Sequence, residues 1–252
     1  MKNNHTQSTD NESGIVLYRY LTWDAFVKTL DSWMLKATIP AQTNDLFEFL
    51  PAMNGDIGLY DLARRQLRGG CAFFSFSKKM SDCAMWGHYA DQFRGVCMAF
   101  YIPDKRIVNE VHYDHQRVSL ADFKKLSKDE CSELVNQLLT TKDISWKYEE
   151  EYRWIEEADE ADEARDGMLF YREPMNYFIG VILGARCPYS SGYTKALLKQ
   201  YLHIHGVKDK PNMDVYMVVE ESFPNNDTFS ISSRFWDDNL SEADLRSKGL
   251  IK

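Results

Sequence analysis

The sequence predicts a single α+β domain: a mixed, mainly antiparallel sheet with flanking helices. Two observations carry this. Strand-like and helix-like segments alternate near both ends of the chain, whereas strand-like segments follow one another in the middle. No internal repeat and no Gly-, Ser- or Pro-rich linker divides the 252 residues, 44% of them hydrophobic, so one substantial core is expected.

The elements follow in order. Residues 1–13 are polar, lack the apolar run of a signal peptide and read as a flexible lead. "GIVLYRYLT" (14–22) is β-branched and aromatic and predicts a strand. Trp23, Phe26, Val27, Leu30 and Met34 recur at helical spacing, with Thr22 as the N-cap. "KATIPAQTNDLFEF" reads as an extended segment and then a polar turn. "CAFFSFSKK" (71–79) predicts a strand and "MSDCAMWGHYADQF" a helix capped by Ser81. "GVCMAFYI" (95–102) reads as a buried strand, "RIVNEVHYD" as another, and residues 120–141 as an amphipathic helix. "YEEEYRWIEE" predicts a strand and "ADEADEARDG" an acidic loop. "YFIGVILGA" is an apolar strand, "SGYTKALLKQYLHIHG" a helix and "MDVYMVVEES" a strand. The domain is expected to span 14–235, with 236–252 as a peripheral tail.

Charge and motifs narrow the function. A formal net charge of −8 disfavours non-specific nucleic-acid binding, which needs a basic footprint. Arg64, Arg65 and Arg68 form a local basic group, either a solvated helix end or an anion contact. The five cysteines are odd in number and lack CxxC spacing, so reduced thiols in the cytoplasm are expected rather than disulfides or zinc. No apolar run is long enough to span a membrane. Phosphate loops, nucleophile elbows and HExxH motifs are lacking, which disfavours ATPase, lipase-type and zinc-protease chemistry.

The stretch "WKYEEEYRW" (146–154) alternates aromatic and charged residues. Read as a strand, it places Trp146, Tyr148, Glu150, Tyr152 and Trp154 on one face, and Lys147, Glu149, Glu151 and Arg153 on the other. The second face is either a solvated salt-bridge ladder or a carboxylate aimed into a cleft and oriented by Arg153. Alternation alone does not separate the two.

Several blocks then occur in a fixed order: "LYRY", "TNDLFE", "FSFS…MWGHYADQFRGVCMAF", "K-x3-W-x-YE-x-EYR" and "GVILG". In this order they resemble the bacterial family catalogued as domain of unknown function 2971, over roughly residues 17–205. Leu46, Thr43 and Phe93–Arg94 depart from that family's usual residues.

The layout has a looser resemblance to ADP-ribosyltransferase-like proteins. That resemblance implies a first strand with Tyr18, Arg19 and Tyr20, a second strand ending in Ser75 and Ser77, and a following helix carrying Trp86, His88 and Tyr89. Asn44, Asp45 and Glu48 would be a loop lining the cleft, or a turn bonding its own backbone. Glu149 or Glu151 would be the catalytic carboxylate, with Arg153 beside it. Arg19 would bind pyrophosphate, and the aromatics would hold nicotinamide. NAD would be the substrate, a nucleic acid or protein the acceptor, and a toxin or antiphage defence system, with an antitoxin partner and no membrane association, the setting. Two alternatives stay open: a non-catalytic nucleotide- or protein-binding sensor, and a metal-dependent nuclease using Asp45, Glu48, Glu149 and Glu151.

Overall fold

A computed structural model describes residues 14–52, 70–119, 128–207 and 218–251. The lead at 1–13, the arginines at 64, 65 and 68 and the start of the helix expected at 120 lie outside the described residues.

The fold is α+β, with smaller sheets, among them β6 (His112–Asp114) paired with β7 (Thr141–Asp143), at the margins of the seven-stranded sheet on which it is built. Its strands are β1 (Ile15–Leu21), β3 (Cys71–Ser77), β4 (Val96–Ile102), β5 (Asn109–Glu110), β8 (Glu151–Glu157), β11 (Phe178–Leu183) and β12 (Val218–Glu221). They are ordered β12-β11-β4-β1-β3-β8-β5. Within this sheet β11 and β12 run parallel, after a crossover that includes helix α4 (Ser191–Ile204). Every other pair in this sheet is antiparallel.

Period-two alternation gives the sheet two apolar faces. On β1, Ile15 and Leu17 join the first core, with Phe74, Phe76, Met98 and Phe100 from neighbouring strands. Helix α1 (Trp23–Ser32) contributes Phe26 and Leu30 to it, and α4 contributes Leu198 and Leu202. Thr22 caps α1 as expected, its side chain accepting from Ala25 N. Val16, Tyr18 and Tyr20 face the second core, with Trp86 from helix α2 (Cys83–Tyr89). Asp82, not Ser81, caps α2: its Oδ1 accepts from Ala84 N and Met85 N, while the Ser81 hydroxyl donates to Asp238. Farther along this face Phe49 and Phe73 meet Leu138 and Leu139 of helix α3 (Lys128–Thr140).

The tail expected to be peripheral is packed. Trp236, Leu240, Leu245 and Leu250 are buried in the second core, around helix α5 (Glu242–Ser247). These apolar residues are too sparse in sequence to form a period, but together they cover one flank of the sheet. The acidic segment at 158–167 is also more regular than a loop. It contains β9 (Glu163–Arg165), paired with β10 (Met168–Tyr171), which pairs in turn with β2 (Leu35–Ala37).

The sheet forks at β1 and β3. The two strands share one register pair, Tyr18 with Ser77. Four residues away the same edge of β3 is bridged by Thr38, just after β2, through Phe73. In the fork stands Arg19, whose Nη1 donates to Ser75 O at 3.3 Å and Nη2 to Lys36 O at 2.8 Å.

Candidate functional site

At this fork lies a cleft of about 310 Å³, lined by Tyr18, Arg19, Tyr20, Asn44, Glu48, Ser75, Ser77, Tyr89, Glu149 and Glu151 of the expected residues. Distant chain segments therefore meet in one place. Lys142, for which the sequence suggested no role, lines it too.

The charged wall arises from an irregular backbone. Residues 144–149 are not strand but a 3₁₀ helix, begun by Asp143, whose side chain accepts from Ser145 N. Glu150 then takes a left-handed conformation at φ 40°, uncommon for a residue with a Cβ. The turn is fixed to the end of β3: Ser77 Oγ donates to Glu149 O at 2.6 Å, and Lys78 N to Glu150 O at 2.9 Å. Strict alternation across 146–154 therefore does not hold. Glu149 and Glu151 nevertheless point to a common centre because the left-handed residue lies between them. Only Glu151 and Arg153 share a face through strand periodicity.

The centre is a buried ionic cluster of three carboxylates and two cations. Lys142 Nζ lies 2.6 Å from Glu149, 3.3 Å from Glu151 and 3.7 Å from Glu48. Arg153 grips Glu151 with Nε at 2.8 Å and Nη2 at 2.9 Å, bonds Glu48 through the same Nη2, and donates from Nη1 to Leu139 O. Its guanidinium is sandwiched between Phe49 at 5.1 Å and Phe73 at 4.9 Å. Three negative and two positive charges leave one net negative charge, beside Arg19.

Such charges persist in the interior because each meets opposite charge and hydrogen bonds. Burial alone would raise the Glu151 carboxyl, but Arg153 and then Lys142 outweigh it and hold it down at about 2. For Glu48 burial wins over the same two cations and the carboxyl is raised. Burial works against the Lys142 ammonium, yet Glu151, Glu48 and Glu149 together push its pKa up. Burial lowers Arg19 to about 10, which leaves it protonated at neutral pH.

The rim is formed by Tyr89, whose hydroxyl donates to Glu149 Oε1 at 2.6 Å and accepts from Asn44 Nδ2 at 3.0 Å. Burial, then Glu149, raises this phenol. Tyr18 and Tyr20 line the cleft but spend their hydroxyls on Asp237 O and Lys79 O.

Some expected residues lie elsewhere. Arg153 is fully buried behind Glu151 and acts on the cleft through it. Trp86 is a core post: its Nε1 donates to Met80 O and its ring meets the edge of Tyr20 at 5.1 Å. A pair of stacking rings from Trp86 and Tyr89 is thus not formed, because the large apolar indole is buried and only Tyr89 reaches the cleft. His88 is exposed, between Tyr89 and Tyr148. Asp45 lines a neighbouring cavity of about 180 Å³, its Oδ1 accepting from Phe47 N in a local turn. Among the described residues no group of three His, Cys, Asp or Glu side chains is placed to hold a metal ion. An ammonium and a guanidinium occupy the spaces between the carboxylates that a nuclease would leave for metal.

The span from α2 to β8 supplies Tyr89, Lys142, Glu149, Glu151 and Arg153. Residues 85–154 match the family described as Protein of unknown function (DUF2971). The DUF2971 match thus covers the ionic wall of the cleft and its Tyr89 rim, whereas Arg19, Glu48, Ser75 and Ser77 lie before it. No curated protein and no solved structure matches the chain. Among the described residues no helix is long and apolar enough to cross a membrane.

Proposed function

We propose that the cleft binds the nicotinamide–ribose end of NAD, and that the protein is an ADP-ribosyltransferase-like effector of a toxin or antiphage defence system. One observation carries this reading. The first strand, the serine-bearing end of the next long strand, the helix after it and the late glutamates meet around a single cleft of about 310 Å³. That volume is at the lower end for small-molecule sites and suits a nucleoside-sized group.

The geometry divides the work between the two glutamates. Glu151 is held by Arg153 and Lys142 and serves as a positioning residue. Glu149 contacts a single cation, and its other oxygen meets the Tyr89 hydroxyl at the rim. Glu149 is therefore the carboxylate placed to accept from a ribose hydroxyl and to favour positive charge on the sugar. The bond between C1′ and the nicotinamide nitrogen breaks with its electron pair leaving on nicotinamide. The acceptor's nucleophile then joins C1′ and releases its proton. Ser75 and the protonated Arg19 line the cleft next to the ionic wall and would meet polar and anionic parts of the ligand, whereas the Ser77 hydroxyl is spent on Glu149 O.

A second reading, a non-catalytic nucleotide sensor, is favoured by the same contacts, because both glutamates already have protein donors. Titration calorimetry with NAD separates these cases. Binding with release of nicotinamide supports the transferase; binding without release supports the sensor. Absence of binding at millimolar NAD overturns both.

A further inference from the structure

A groove of about 440 Å³ opens on the opposite face of the sheet, between α1 and the β2–β10 pair. It shares one wall residue with the cleft, Arg19. Its cations are Arg19, Lys28, Lys36 and Arg165 and its anions Asp31 and Asp166, so four minus two leaves an excess of two positive charges. Lys28 and Arg165 pair with Asp24 and Glu163, but those pairs are exposed and weak, so an incoming anion can displace them. The accessible apolar floor comes from Met168 and Phe170, and the Arg165 guanidinium lies 5.0 Å from the Phe170 ring centre. The Arg19 Nε is buried and has no hydrogen-bond partner among the described residues.

An apolar floor beside an aromatic ring, edged by surplus guanidinium and ammonium groups, is the chemistry that recognises a flat base joined to phosphate. We propose that this groove is a second ligand site, for a nucleoside diphosphate. Its phosphates meet Lys36 and Arg165, and its base lies over Met168 and Phe170. The site borders the cleft at Arg19 but does not depend on the reading given to the cleft.

Calorimetry with ADP at low salt tests this. ADP binds one to one, adenosine binds at least roughly tenfold more weakly, and Lys36→Glu and Arg165→Glu each weaken ADP by about tenfold. Both side chains are solvent-exposed, so unchanged thermal melting certifies the variants' fold. Glu149→Gln leaves ADP binding as it is, which separates the groove from the cleft. ADP binding that survives the double variant Lys36→Glu/Arg165→Glu overturns the proposal. So does binding lost in Glu149→Gln but kept in Arg165→Glu, or no binding at millimolar ADP. Inorganic phosphate binding as tightly as ADP would reduce the site to an ion site only and overturn the nucleoside assignment.

Discussion

Replacing Lys142 by Met removes the ammonium that touches all three buried carboxylates, at 2.6, 3.3 and 3.7 Å. Three carboxylates would then face Arg153 alone, leaving two uncompensated negative charges in the interior. Breaking a buried ion pair by removing one partner costs about 3–5 kcal/mol. Glu48, already raised by burial, would take up a proton and relieve part of this, so the lower half of that range is expected. With a urea slope of roughly 2–3 kcal/mol/M, the unfolding midpoint falls by about 1–2 M. The double variant Lys142→Met/Glu149→Gln removes a charge of each sign and should recover at least ~1.5 kcal/mol in a double-mutant cycle. A loss below ~1 kcal/mol for the single variant, or strict additivity in the double, would refute the claim that the cluster is buried and coupled.

Other expectations follow from the same geometry. Glu151 has its carboxyl held at about 2 against an ordinary 4.5, so its stabilising contribution is complete above pH 4.5 and is lost as pH falls toward 2. That shift corresponds to a stabilisation on the order of 3 kcal/mol. Glu48, raised, acts in the opposite sense: its contribution is present at low pH and lost as pH rises through its folded value. Urea melts of Glu151→Gln should accordingly show a shallower acid limb than wild type, and parallel limbs would contradict the assignment. Tyr89→Phe deletes the hydroxyl joining Asn44 to Glu149, should cost about 1 kcal/mol of stability, and should weaken cleft ligands several-fold in calorimetry. Gly180→Ala would place a Cβ 2.3 Å from the Trp236 ring and 2.7 Å from Val218 O. It should cost about 1–3 kcal/mol by overpacking and speed proteolysis of the C-terminal segment, whereas unchanged protection would mean that Trp236 is not seated there.

The sequence made the elements legible where one physical period dominated. Strand β1 is apolar on both faces, but its strand geometry alone places Arg19 on the side away from Tyr18 and Tyr20. It failed where backbone irregularity mattered. Residues 146–149 look like strand by alternation, but the turn anchored by Ser77 and the left-handed Glu150 make them a 3₁₀ helix. Glu149 still reached the site, though by a different route from strand periodicity. Lys142 opens the "K-x3-W-x-YE-x-EYR" block, yet nothing local in the sequence distinguishes a buried lysine from a solvated one. Its partners Glu48 and Glu151 are distant in sequence or hidden within an acidic run. Trp86 departs from the expectation for a related reason: an aromatic one helical turn from another can face the core while its neighbour faces the cleft.

Nicotinamide release from NAD by wild type, Glu149→Gln and Glu151→Gln tests the central claim most directly. Wild type should release nicotinamide, and Glu149→Gln should lose roughly 10²–10³-fold of that rate with the fold retained. Glu151→Gln should show reduced stability along with reduced activity. Equal rates for wild type and Glu149→Gln would contradict the claim that the cleft at the fork is the reacting site.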